Sequence, residues 1–193
     1  MAVKVVTDSA SDLPQSVAEE VGITVVPCNV NFGTEQFKDR VDITAEDFYR
    51  RLVSGTTHPT TSQPSPGDFL ETYDRLGKDA EGIVSVHVSS KLSGTYNSAV
   101  QAKGQSSATC PIEVVDSTQA CMAIGVVAIA AAAEANKGST VDAVAGAARG
   151  AALRSQLYFV LNTLEYLQKG GRIGKAKALL GTMLKIKPML IIK

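Results

Sequence analysis

Neither sign of charge is in excess: lysine plus arginine and aspartate plus glutamate each count 19. A balance near zero gives no electrostatic handle for nucleic acid or for an anionic membrane surface. Cysteine is scarce, and Cys28, Cys110 and Cys121 are far apart with no CxxC pair among them. That spacing excludes a zinc ribbon or a dithiol redox motif, and an unpaired cysteine fits a reducing compartment. The opening Met-Ala-Val-Lys-Val-Val-Thr-Asp-Ser lacks the basic start, apolar stretch and cleavage site of a signal peptide. Long apolar runs are missing too. The longest, residues 120–133, ends at Glu134, short of the roughly 20 apolar residues that a spanning helix needs. It reads as a buried core helix, and a soluble, cytoplasmic protein with no stable membrane insertion is expected.

What is present is a chain of 193 residues, 45% hydrophobic. That suffices for one sizeable core, or one full domain and part of another. Short β-branched runs alternate with helical stretches. Residues 3–7 read as a buried strand. Ser11-Asp12-Leu13-Pro14 then caps a helix that reaches residue 20 and stops at Gly22. Residues 23–26 form a strand ended by Pro27, and 29–32 extend it. Thr44 opens a second helix that fades at Gly55. Residues 56–67, with Pro59, Pro64 and Pro66, read as a loop. Helix 68–76, strand 83–88, a helix from Gly94 to Lys103 capped by Ser93, strand 112–115 and helix 119–136 follow.

Repeated alternation predicts an α/β fold, a parallel sheet covered by helices. Ligands of such sheets sit beyond the carboxyl ends of the strands. Asp8-Ser9, residues 89–94 and Asp116-Ser117 fall at those ends, so the site is expected there. After Gly138 come a helix over 141–153, a strand over 157–160, a glycine-rich turn at 170–174, a helix to residue 184 and a last strand over 189–192. The division expected is an N-terminal α/β domain over 1–150 and the start of a second α/β domain over 151–193. That second domain is expected to be incomplete, because it finishes on an apolar strand of the kind proteins normally cover.

Ser89-Ser90-Lys91-Leu92-Ser93-Gly94-Thr95-Tyr96 joins a strand to a helix start. Backbone N–H groups point out of a helix N-terminus, and the dipole favours an anion. Gly94 lets a ligand come close to the backbone. The plainer reading, an ordinary cap, is the commoner one for such a sequence. Pro59-Thr60-Thr61-Ser62-Gln63-Pro64 offers hydroxyls on a loop stiffened by proline; taken alone, it is a solvated turn. Gly170-Gly171-Arg172-Ile173-Gly174-Lys175 presents an arginine on a tight turn. It is not a phosphate-binding loop, since Lys169 stands where that motif needs glycine and Ala176 where it needs serine or threonine. His87 alternates with Val86 and Val88 inside a strand and reads as structural, and no G-x-S-x-G elbow occurs. Asp8 and Asp116 end strands ahead of serines, which suits local capping. No metal site, no cofactor and no catalytic residue are expected.

Together these segments resemble the DegV family. Val5-Val6-Thr7-Asp8-Ser9-Ala10-Ser11-Asp12-Leu13-Pro14 is similar to its opening strand and turn, and Val25-Val26-Pro27 to its second strand. Thr61-Ser62-Gln63-Pro64 resembles its threonine-serine loop. Ser90-Lys91-Leu92-Ser93-Gly94-Thr95-Tyr96-Asn97-Ser98-Ala99 resembles its most specific motif. Asp116-Ser117, Leu164-Glu165-Tyr166-Leu167-Gln168-Lys169-Gly170-Gly171-Arg172-Ile173-Gly174 and Lys187-Pro188-Met189-Leu190 complete the order. The resemblance implies a carrier, not an enzyme, with a long-chain fatty acid buried between two domains. It implies that Thr61, Ser62, Ser93 and Gly94 meet the acyl carboxylate, joined by Arg172. It also implies a partner, the catalytic subunit of a bacterial fatty-acid kinase, to which the carboxyl group is presented for acyl-phosphate formation. The family continues past this chain's last residue and includes a histidine near the head group for which no residue here stands. The competing reading is a phosphoryl-transfer enzyme holding a phosphorylated small molecule at the Ser93 helix end; it needs a nucleotide site and metal-binding carboxylates, which the sequence does not offer.

Overall fold

The computed structural model describes residues 2–179 and 187–192. The chain divides into two compact units, Met1–Ser155 and Gln156–Lys193.

The first unit is built on four parallel strands in the order β2-β1-β6-β7, with β1 at Val3–Asp8, β2 at Ile23–Val26, β6 at Gly82–His87 and β7 at Ile112–Asp116. Val5 stands beside Ile23 on one side and Val84 on the other, and Ile83 beside Ile112. Near-continuous valine and isoleucine runs suit strands that are buried on both faces. Val3, Val5, Val84, Val86 and Val115 pack on one face against α5 (Met122–Ala135) and α6 (Val141–Arg154). Alanines dominate the buried side of this helix pair, Ala128, Ala131 and Ala132 among them, and small side chains let the helices lie close. Val6, Ile83 and Ile112 pack on the other face against Phe69 and Tyr73 of α3 (Pro66–Leu76) and Ala99 and Ala102 of α4 (Thr95–Gln105). The expected parallel sheet covered by helices is therefore present. The chain moves from β1 outward to β2, then returns to place β6 on the other side of β1. This reversal makes the carboxyl ends of β1 and β6 a topological switch point, where open α/β sheets leave a crevice.

Three features differ from the sequence expectation. Helix α1 spans Gln15–Val21 with Pro14 at its cap position and no side-chain cap. Ser11 instead ends a 3-10 turn, Ser9–Ser11, which the Asp8 side chain caps. Local hydrogen bonding to Asp8 wins over capping of the helix. Secondly, β3 (Asn29–Phe32) does not prolong β2. It pairs antiparallel with β4 (Glu35–Lys38) and with β5 (Thr60–Ser62) in a separate sheet of order β4-β3-β5. Thirdly, β5 lies within the segment expected to be loop. A three-residue polar strand carries no alternating pattern and is legible only through its partner. This small sheet packs Val30, Phe32 and Ile43 with Phe37 and with Phe48 of α2 (Ala45–Ser54). Thr44 caps α2 as its sequence predicts, accepting from Asp47 N.

The second unit pairs β8 (Tyr158–Val160) antiparallel with β9 (Met189–Ile191), Phe159 standing opposite Leu190. Helix α7 covers Glu165–Lys169, and a 3-10 stretch covers Gly174–Leu179. The helix expected as far as residue 184 lies partly outside the described residues. Among the described residues, no helix is long and apolar enough to cross a membrane.

Candidate functional site

At the switch point the strand ends carry a chain of buried polar groups. The Tyr73 hydroxyl donates to Ser85 Oγ at 2.8 Å, and Ser85 Oγ lies 2.7 Å from His87 Nε2. His87 Nδ1 lies 2.9 Å from Asp8 Oδ2. The carboxylate also accepts from Val88 N at 3.2 Å and Ala10 N at 3.1 Å. With a carboxylate facing Nδ1, that nitrogen carries the proton and Nε2 accepts from Ser85, so every donor in the chain has its acceptor. Phe69 closes the imidazole from the side, ring centroids 4.8 Å apart.

Asp8, His87 and Ser85 thus have the order of a hydrolase triad, but not its access. All three are wholly buried, whereas a nucleophilic serine must meet a substrate. The arrangement locks β1, β6 and α3 together. Nor does the neighbouring thiol offer a nucleophile: burial, aided by the charge of Asp8, pushes Cys28 up to about 12. Asp116 accepts from Thr118 N at 2.8 Å and Ser90 N at 3.2 Å, the local capping its sequence predicts. Gln119 extends the same rim, receiving Ser89 N on its backbone oxygen and donating from Nε2 to Ser155 O.

Beside this rim, α4 begins openly. Gly94 is its cap residue, and no side chain caps it. Ser93, expected to do so, sits one residue earlier. Its Oγ accepts from Thr95 N at 3.3 Å and lies 2.9 Å from Thr95 Oγ1. Thr95 N is thereby served, while the N–H groups of Tyr96 and Asn97 in the same turn receive no side-chain cap. Thr61 and Ser62 lie on exposed β5, paired with Val30 and Asn29. The next residue, Gln63, reaches across to α4: a β-carbon placed on Gly94 would stand 2.5 Å from Gln63 Nε2. The hydroxyl strand and the glycine-led helix end, distant in sequence, therefore meet within one unit. Glycine is required at position 94 for this close approach, not for its φ of −75°.

Arg172 belongs to the second unit, where its Nη1 donates to Gly170 O at 2.6 Å across a turn with Gly171 at φ +73°. The tight turn read from its glycines is present. Sequence reasoning missed two things. It did not join His87, read as structural inside its strand, to Asp8, read at a strand end, because the join depends on the β1–β6 pairing. It also passed over Gln63, whose signal was adjacency to the hydroxyl pair.

The model of the DegV family, described as uncharacterised, matches residues 2–193. A DegV domain-containing protein of Clostridium perfringens is 40% identical over 196 residues, covering 100% of this chain and 69% of the relative. A Thermus thermophilus structure described as fatty acid binding of a DegV family protein superposes with TM-score 0.90 at 38% identity, covering 100% of this chain and 68% of that one. A stearic acid-binding protein from Eubacterium ventriosum gives TM-score 0.88 at 29% identity, covering 99% and 67%. The chain spans about two thirds of the length of the curated relatives it matches.

Proposed function

The chain belongs to the DegV family, and on that premise we propose that it binds a long-chain fatty acid as a carrier and presents the carboxyl group to a partner fatty-acid kinase. Thr61, Ser62, Ser93 and Gly94 hold the carboxylate in this reading, with Arg172 as a further cationic contact. The observation that carries it is similarity over the whole chain to a protein described as binding fatty acid. The geometry of the first unit supports it, since the start of α4, which no side chain caps, is approached by Gln63, the residue that follows the Thr61-Ser62 pair of β5. No metal or organic cofactor takes part in this reading.

Energetics assign the two ends of the ligand different tasks. Burial of roughly 14 methylenes contributes on the order of 11 kcal/mol gross, less the cost of ordering. Charge-assisted hydrogen bonds contribute about 1.5–3 kcal/mol each before desolvation of the carboxylate. The tail therefore sets affinity and the polar groups set orientation. Organic extraction of the purified protein followed by mass spectrometry tests the reading. A long-chain acid in near-stoichiometric amount is expected. Recovery of a nucleotide, or of no lipid from protein that also takes up no added acid, overturns it.

A further inference from the structure

Gln119 is buried and bonded in three directions. Its N–H donates to Ser117 Oγ at 3.1 Å, its backbone oxygen accepts from Ser89 N at 2.9 Å, and its Nε2 donates to Ser155 O at 3.0 Å. The last two bonds lead to different places. Ser89 O in turn accepts from Leu92 N at 2.9 Å and Ser93 N at 3.1 Å, so the turn that carries Ser93 hangs on Gln119. Ser155 follows the last residue of α6 and is the last residue of the first unit. Its N–H closes the final turn of α6 on Ala151 O at 2.9 Å. The backbone around Gln119 is constrained as well: Thr118 and Cys121 have φ of +54° and +51°. Residues with side chains hold such angles only where the surroundings over-determine them.

We infer that Gln119 is a positioning residue that couples the Ser93 turn to the junction after α6. This rests on the fatty-acid reading above, which places Ser93 at the carboxylate. Gln119 is a latch with two states. With Nε2 on Ser155 O, the backbone of 118–121 keeps its left-handed residues, and the Gln119 backbone oxygen stays on Ser89 N. With Nε2 released, that backbone relaxes, and Ser89 loses the fixed point that Ser93 depends on. An acid that needs Ser93 in place binds the latched state and so steadies the end of α6. By reciprocity, the latch strengthens binding of the acid. Ser155, at the end of a helix and of a compact unit, stands where hinges commonly lie.

Hydrogen exchange read by mass spectrometry, with and without dodecanoic acid, tests the coupling. Oε1 of Gln119 has no partner among the described residues, so Gln119→Met removes the link to Ser155 and no other side-chain bond. Gln119→Asn keeps the amide but falls one methylene short of Ser155 O. In the parent, saturating acid slows exchange over residues 151–155 by roughly threefold or more. In both variants that slowing disappears and acid affinity falls about fivefold, the lower end of ordinary couplings. Without acid, β6 exchanges in the variants as in the parent. Slowing over 151–155 in either variant equal to the parent's overturns the coupling and leaves the carrier reading intact. So does a parent that binds the acid with no change over 151–155. Faster exchange of β6 in both variants makes Gln119 a packing residue of the first unit, which also overturns its assignment. A parent that takes up no dodecanoic acid overturns the fatty-acid reading on which the coupling stands.

Discussion

Every residue of β6 is buried, and every residue of β5 is exposed. The first belongs to the parallel frame of its unit and is packed by helices on both faces. The second lies at the edge of a three-stranded sheet whose core is little more than Val30, Phe32, Ile43 and two further phenylalanines. The small sheet is tied to the frame through polar links. Lys38 Nζ reaches Asp68 at 2.9 Å, Arg40 donates to Leu13 O and Asp12, and Cys28 N donates to Ser9 Oγ. Regions with few buried apolar contacts open locally at low free energy. The frame is therefore the firmer of the two regions, and the small sheet the readier to open.

The sharpest way to break this contrast is inside the frame. His87→Ala leaves the Asp8 carboxylate without its buried partner and removes the acceptor for Ser85. Taking one hydrogen-bond partner from a buried charged group costs at least about 1–3 kcal/mol, and the space vacated by the buried ring adds to the loss. Chemical denaturation of this variant is expected to show a loss of that size, with a single transition for the first unit. A loss below about 1 kcal/mol would mean that the pair sits in a wetter setting than its complete burial implies.

Two glycines sharpen the contrast at the next scale. At Gly82, the start of β6, an added methyl runs into Val141 Cγ2 and stands 3.2 Å from the Pro111 carbonyl oxygen. Neither neighbour swings aside, so Gly82→Ala is expected to cost about 1–3 kcal/mol as overpacking. At Gly94 the obstacle is the far end of the Gln63 side chain, which turns away freely. Gly94→Ala is thus expected to change stability by less than about 1 kcal/mol while displacing Gln63 from the helix start. Thermal melting of both variants, read beside fatty-acid titration, separates the two. If Gly94→Ala proves as destabilising as Gly82→Ala, the small sheet is as firmly set as the frame.

The frame was legible in the sequence because its signals are local and repeated. Valine runs bounded by Gly22, Pro27 and capping residues mark strands, and the Thr44 cap marks α2. The small sheet was not, since β4 and β5 owe their form to pairing with β3. Thr60, Thr61 and Ser62 between prolines look like any solvated turn until Val30 lies beside them. The same limit applies to the site. Ser93 and Gly94 are readable as a helix start, but only the pairing of β5 brings Gln63 onto Gly94. The resemblance to a family supplied the pairing of the two loops that spacing alone left open. It did not single out Gln63.

The smallest expected effect lies on the frame's own surface and tests whether packing, not polar linkage, accounts for its strength. Asp74 of α3 accepts from Ser106 Oγ at 2.6 Å and Ser107 N at 2.8 Å, tying α3 to the end of α4. The Ser106 hydrogen bond above all, with Ser107 adding and slight desolvation opposing, holds its carboxyl below the ordinary 3.8. A carboxyl lowered on folding adds stability above its unfolded value, and that contribution is lost as pH falls below 3.8 through the lower folded value. Asp74→Asn is therefore expected to be slightly less stable than the parent at neutral pH, with the gap closing in acid. Denaturation midpoints of the two proteins at neutral pH and well below pH 3.8 provide the measurement. Asp68 and Glu113, also lowered, are present in both proteins and cancel. A gap at neutral pH as large as that of His87→Ala would mean that surface linkage holds the frame as much as burial does. A gap that widens in acid would have the wrong sign for a carboxyl stabilised by its ionised form.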